Sequence, residues 1–352
     1  MTRPFRAIAA IAAFAAAAAT LPAADLDLLA LMTGMGMVNG DERSAIESGG
    51  AVVTIMPARG RDLAAFGITR TSASGSRLIA WTREIERLYR GRYIPAIGRF
   101  SAPPRLEDLS ALTLDDDDLG DLRKCRPGDC DVKLSDPELD QIRRAAADAA
   151  GDRWKEAILL AFRQVVLARA QSYLAAGLTV APPYHDRKTP ISPDAEFAEV
   201  TARVGLEPID GARALRYFHS YPAGDAAGVE SLLYWSRETL GGGKPIVSIT
   251  HVAIFRNLHP PLPYAAVAAR QVYASHYLTA SLSFTIIVGG LDAAPHYLVY
   301  LRRLRTDAFE RPFGRFIRTI VERRIRSEAP AVLDGLRRTL EGGDPPRFDS
   351  TS

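Results

Sequence analysis

The sequence predicts an α+β fold: a curved antiparallel β-sheet, a long mostly helical stretch between its early and late strands, and a long C-terminal helix. Three observations carry that expectation. Residues 272–286 alternate apolar and polar without a break, the period-two signature of a strand with one dry face. Strand-like runs follow one another from 231 to 305, separated by turn residues. An apolar stripe at helical spacing (Phe313, Phe316, Ile317, Ile320, Val321, Leu333, Leu336, Leu340) closes the chain.

The elements follow in order. Residues 25–50 end in Ser48-Gly49-Gly50 and read as a short helix. Ala51–Met56 and Leu63–Thr71 read as a hairpin, because Arg59-Gly60-Arg61-Asp62 supplies turn chemistry between them. Ser74-Gly75-Ser76 opens a helix through Tyr89, with Leu78, Ile79, Trp81, Ile85 and Leu88 at helical spacing. Residues 92–135 read as irregular. Asp136-Pro137-Glu138 opens a helix that reaches Ala176, with a break expected at Gly151-Asp152. A Pro-rich loop (178–192) and short helices near 194–203 and 211–219 complete the insertion, 92–228. Ser231–Leu240 and Pro245–Arg256 read as a hairpin around Gly241-Gly242-Gly243, and 268–288 as one long strand. The alternating stretch would span about 50 Å at ~3.3 Å per residue, so such a strand must curve or bulge. Tyr297–Arg305 is the last strand. The C-terminal helix runs from about 312 to 340, and Pro330 is expected to kink or split it.

Hydrophobic residues at 47% and charged residues at 24% exclude wholesale disorder. Residues 1–24 read as a secretory signal peptide: Arg3 and Arg6 precede the apolar Ala7–Leu21, and Pro22-Ala23-Ala24 leads to a cleavage site near Ala24. That apolar run falls short of the ~20 residues a spanning helix needs. The expected product is exported, periplasmic or secreted. It is a single domain over 25–343 with a polar tail at 344–352. Removing two positive charges lowers the formal net charge from +3 to +1, which gives no argument for nucleic acid. Cys125 and Cys130 flank the turn dipeptide Pro127-Gly128, so a disulfide is expected in an oxidising compartment.

Two segments resemble the START/Bet v 1-like (SRPBCC) superfamily. One is Ile68–Arg90, read as strand, small-polar turn and helix with an internal Trp; the other is the strand series 231–305 followed by the helix 312–340. The insertion is much longer than a minimal member carries. The resemblance implies a helix-grip fold with an apolar cavity between the sheet and the C-terminal helix. It also implies binding of lipids or other hydrophobic molecules, with a minority of members catalytic.

The residues themselves name few chemistries. No HExxH, Gly-x-Ser-x-Gly or P-loop pattern occurs, and no metal or cofactor is expected. Asp115–Asp118 lacks the alternating ligands of a calcium loop and reads as a solvated loop or a helix N-terminus. His251 and His276 fall on the apolar side of their strands, read as core histidines or as acid/base groups. The expected cavity lining is Trp235, His251, Phe255, His276, Leu282, Phe284 and Tyr300. The reading is an exported binding protein for a hydrophobic small molecule or lipid, with possible transient membrane contact through the Arg-rich C-terminal helix. The alternatives are a non-catalytic envelope partner protein whose partner is unknown, or an enzyme of the cyclase or dehydratase type.

Overall fold

Val52–Met56 (β1) and Asp62–Thr71 (β2) form an antiparallel hairpin. The computed structural model describes residues 28–34, 37–202, 211–224, 227–239, 243–257, 264–289, 296–310 and 312–342. The expected signal peptide, the tail 344–352 and His259 lie outside them.

Six more strands complete one antiparallel sheet: Ala96–Arg99 (β3), Glu230–Glu238 (β4), Ile246–Asn257 (β5), Tyr264–Ala274 (β6), Leu278–Val288 (β7) and His296–Thr306 (β8). The order is β1-β2-β8-β7-β6-β5-β4-β3. Strands β3 to β8 are therefore neighbours in chain order, and β8 returns beside β2. The expected single strand over 268–288 is two strands. Tyr277, in the left-handed region at φ 56°, turns the chain at residues 275–277. The ladder skips Val272 where β6 meets β5 and Thr279 where β7 meets β8. Each such bulge inverts the side-chain phase. The alternation written in the sequence therefore crosses a turn and two bulges without marking any of them.

Helices cover both faces. One face packs beneath Leu28–Gly34 (α1), Gly40–Glu47 (α2) and most of the insertion. The insertion helices are Asp116–Lys124 (α5), Asp136–Asp148 (α6), Trp154–Ala176 (α7), Pro193–Thr201 (α8) and Gly211–Ser220 (α9). A 3₁₀ turn at Gly151–Arg153 separates α6 from α7, where the break is expected. Residues 92–135 are more ordered than the sequence suggests: they contain edge strand β3, a 3₁₀ turn at Leu106–Leu109 and α5. Asp115 caps α5 by accepting from the Asp118 amide, so the acidic run is a helix N-terminus.

The opposite face carries Gly75–Arg83 (α3), Ile85–Tyr89 (α4) and Gly314–Leu340 (α10). α10 packs on β1 and β2, at one side of the sheet. Gly67 of β2 makes that approach possible, because a Cβ there would stand 3.0 Å from Leu333 Cδ2 and 3.3 Å from Val53 Cγ2. Pro330 does not split the helix; it removes one backbone donor from a turn that is not fully buried. Cys125 and Cys130 are disulfide-bonded. No described helix is long and apolar enough to cross a membrane.

Candidate functional site

Six of the seven expected lining residues sit on the insertion face, not the face α10 covers. Leu282 and Phe284 belong to the core beneath the insertion. Trp235 lies across Gly98, and its indole N–H donates to the Asp108 carbonyl at 2.8 Å. His251 and Phe255 lie in a ring of aromatics from α7 and α9. The Tyr173 hydroxyl and His251 Nδ1 share a 2.7 Å hydrogen bond, and the Tyr221 ring centroid is 4.5 Å away. Burial, reinforced by the nearby Arg270 guanidinium, lowers the His251 pKa to about 3, so its imidazole stays neutral at ordinary pH. His276 lies in the β6–β7 turn. Its Nδ1 is 2.9 Å from the Asp131 carbonyl, and its Nε2 is 3.1 Å from Asp118 Oδ2. Lys244 reaches Asp118, Asp121 and Asp131 around it. Both histidines are thus tied into packed polar networks. Among the described residues, no group of three or more His, Cys, Asp or Glu could hold a metal ion.

Tyr300 is the exception. It faces α10, and its surroundings are open. Ala65 (β2), Arg302 (β8), Ser283 (β7) and Ala269 (β6) are successive register partners across four adjacent strands. Each is half-exposed, although β6 to β8 are interior strands. Tyr300 and Leu304, on either side of Arg302, are half-exposed too. On the other face of the same strands Phe66, Leu301, Leu282 and Ala268 are buried. The exposed row marks a groove across the sheet. Its floor is open because alanine and serine side chains are short, and Arg302 is its cation.

The groove is roofed and walled by identifiable elements. α10 is fastened near both ends. Arg318 donates to the Gly60 and Asp62 carbonyls at 2.6 and 2.9 Å, and Leu333 and Leu340 are buried. Thr71 donates to Glu341 at 2.9 Å. Between Arg315 and Val332 no residue of α10 is buried. By helical phase Val321, Ile325 and Ala329 continue the stripe of Leu333, so a half-exposed apolar strip runs along the sheet side. Trp81, Tyr89 and Ile94 stand half-buried beside this core, and Tyr93 donates to Glu328 at 2.6 Å, tying the wall to the strap.

Arg302 Nε donates to Ser281 Oγ at 3.2 Å, and among the described residues no carboxylate lies within 4 Å of the guanidinium. Burial lowers its pKa, but Tyr300, Glu238 and Tyr234 outweigh that and hold it above the ordinary value, so it is a permanent cation. Burial pushes the Tyr89 hydroxyl up to about 12 and the Tyr234 hydroxyl higher still. Both remain neutral, the rings 6.4 Å apart. The site thus offers the Arg302 cation, the Glu238 carboxylate beyond direct contact, neutral hydroxyls and apolar surface on either side.

No protein-family profile matches the chain, and no curated protein matches it.

Proposed function

We propose that the protein is an exported binding protein for an amphiphilic small molecule or lipid with an anionic head, held in the groove between the sheet and α10. One observation carries the reading: a half-exposed line of small side chains crosses the interior of the sheet under a helix, with Arg302 at its centre lacking a carboxylate partner. An anion bound there would gain charge-assisted hydrogen bonds from the guanidinium, which are the strong ones in a low dielectric. The apolar strip of α10, with Trp81 and Ile94, offers cover for a hydrocarbon portion. The chain order supports the helix-grip reading. Strand β2, helices α3 and α4, a meander that returns beside β2, and α10 on the α3–α4 face follow in the sequence such a fold requires. The disulfide fits an oxidising compartment and so supports export.

Native mass spectrometry and solvent extraction of the purified protein should recover an anionic amphiphile. Arg302→Gln should weaken binding of a fluorescent fatty-acid probe about tenfold or more, since a hydrogen bond to a charged group contributes about 1.5–3 kcal/mol. Ser283→Phe should fill the floor and abolish binding without loss of thermal stability. Probe binding that ignores both substitutions would remove the groove from consideration.

A further inference from the structure

The outer face of α10 carries a second feature that the groove does not use. Phe313, Phe316 and Ile320 are spaced to share one stripe and are 82, 66 and 48% exposed. Phe313 also holds a left-handed backbone conformation, φ 69°, at the helix N-terminus, with no side-chain cap. A bulky residue there is strained, and its ring gains nothing from the rest of the chain. Around the stripe the exposed charges are Arg315, Arg323 and Arg326, together with Glu310, which is 3.5 Å from Arg61. Glu322 pairs with Arg318 and Arg326, and Glu328 with Arg324. Arg315 and Arg323 have no carboxylate within 4 Å among the described residues.

We propose that this face docks on an anionic lipid surface, with Phe313, Phe316 and Ile320 entering the acyl boundary and Arg315 and Arg323 meeting the headgroups. Arg323 lies beside Phe316 and Ile320 by helical phase, and Arg315 lies at the flank about 100° from Phe316, where a long side chain reaches headgroups, so the arrangement fits an anionic interface. A second copy of the chain fits worse, because a two-fold contact would set the arginines of one copy against those of the other. Docking places the strap over the groove at the surface from which an amphiphile would enter, yet it requires nothing of Arg302.

The experiment is co-sedimentation of the full chain with vesicles of phosphatidylcholine, with and without phosphatidylglycerol. The reading is the loss of anionic preference from wild type to variant, so any contribution of the N-terminal residues, Arg3 and Arg6 included, is common to both and subtracts. The wild type should prefer the anionic vesicles, and the preference should fall with added salt. F313E/F316E and R315E/R323E should each lower it about tenfold. All four positions are exposed, and matching circular dichroism will show that folding is kept. A wild type without anionic preference, or retention of that preference by either variant, overturns the proposal. Arg302→Gln should sediment like the wild type, which separates this result from the fate of the groove.

Discussion

At the scale of single residues, burial decides which charges are free to act. His251 and Arg302 lie on opposite faces of the sheet. Arg302 keeps part of its surface open, donates to the Ser281 hydroxyl and feels the Glu238 charge without a carboxylate in direct contact. His251 is 1% exposed, bonded to Tyr173 and ringed by aromatics. Its folded pKa, about 3, lies below the unfolded value of about 6.5. Between these two values the unfolded chain binds a proton that the folded chain refuses. The stability is therefore present above about pH 6.5 and is lost as pH falls toward 3, by on the order of 4 kcal/mol over the full window. His251→Phe should flatten the acid limb of a plot of thermal midpoint against pH between 7 and 4. An unchanged limb would show that other groups dominate acid unfolding.

At the scale of elements, α10 is a strap rather than a buried core helix. Its buried residues are Gly314 and then Leu333, Gly335, Thr339 and Leu340, leaving the middle over the groove. The C-terminal fastening depends on Gly67, which lets Leu333 approach β2. Gly67→Val should push Leu333 away and lower stability by about 1–3 kcal/mol, the usual cost of overpacking. Hydrogen exchange should then rise along the C-terminal half of α10 while β6 and β7 stay protected; equal exchange in both proteins would show that the contact is dispensable. The β6–β7 turn illustrates the limits of periodicity. Val272 and Leu282 do share the insertion face, but only because two bulges and a three-residue turn restore the phase between them.

At the scale of the molecule, the sheet is the middle of three layers, and the insertion is bound to the rest by buried charge. Lys133, 1% exposed, lies 3.1 Å from Asp186 Oδ2 and 2.6 Å from Asp307 Oδ2. The first carboxylate belongs to the insertion and the second follows β8. Lys133→Met would leave Asp307 buried without its cation and Asp186 with Arg187 alone, 3.7 Å away, and should cost about 3–5 kcal/mol in denaturant unfolding. A loss under 1 kcal/mol would mean that the layers are held by apolar packing alone. The insertion also explains why the dry strand face is filled: helices α5 to α9 occupy it, so the half-exposed strand residues are on the side with Ser283 and Arg302.

What the sequence alone determined is whatever depends on near neighbours in the chain. Turn dipeptides and apolar spacing were enough for the α+β class, the β1–β2 hairpin, the β4–β5 hairpin, the break before Trp154 and the pairing of Cys125 with Cys130, whereas the β6–β7 hairpin was read as one strand. The groove was partly legible, since the alternation of Leu298, Tyr300, Arg302 and Leu304 sets one cation among apolar residues on a single face. Only the tertiary structure decided which face is closed. A period of two separates two faces but assigns neither to a partner. The assignment came from the insertion, which buries the apolar side, and from the helices on the other, α10 on β1 and β2 and α3 on β6 and β7, which leave one row of strand residues half-exposed. His276 and Phe284 are buried beneath the insertion for that reason, and the half-exposed row runs through Ala65, Arg302, Ser283 and Ala269.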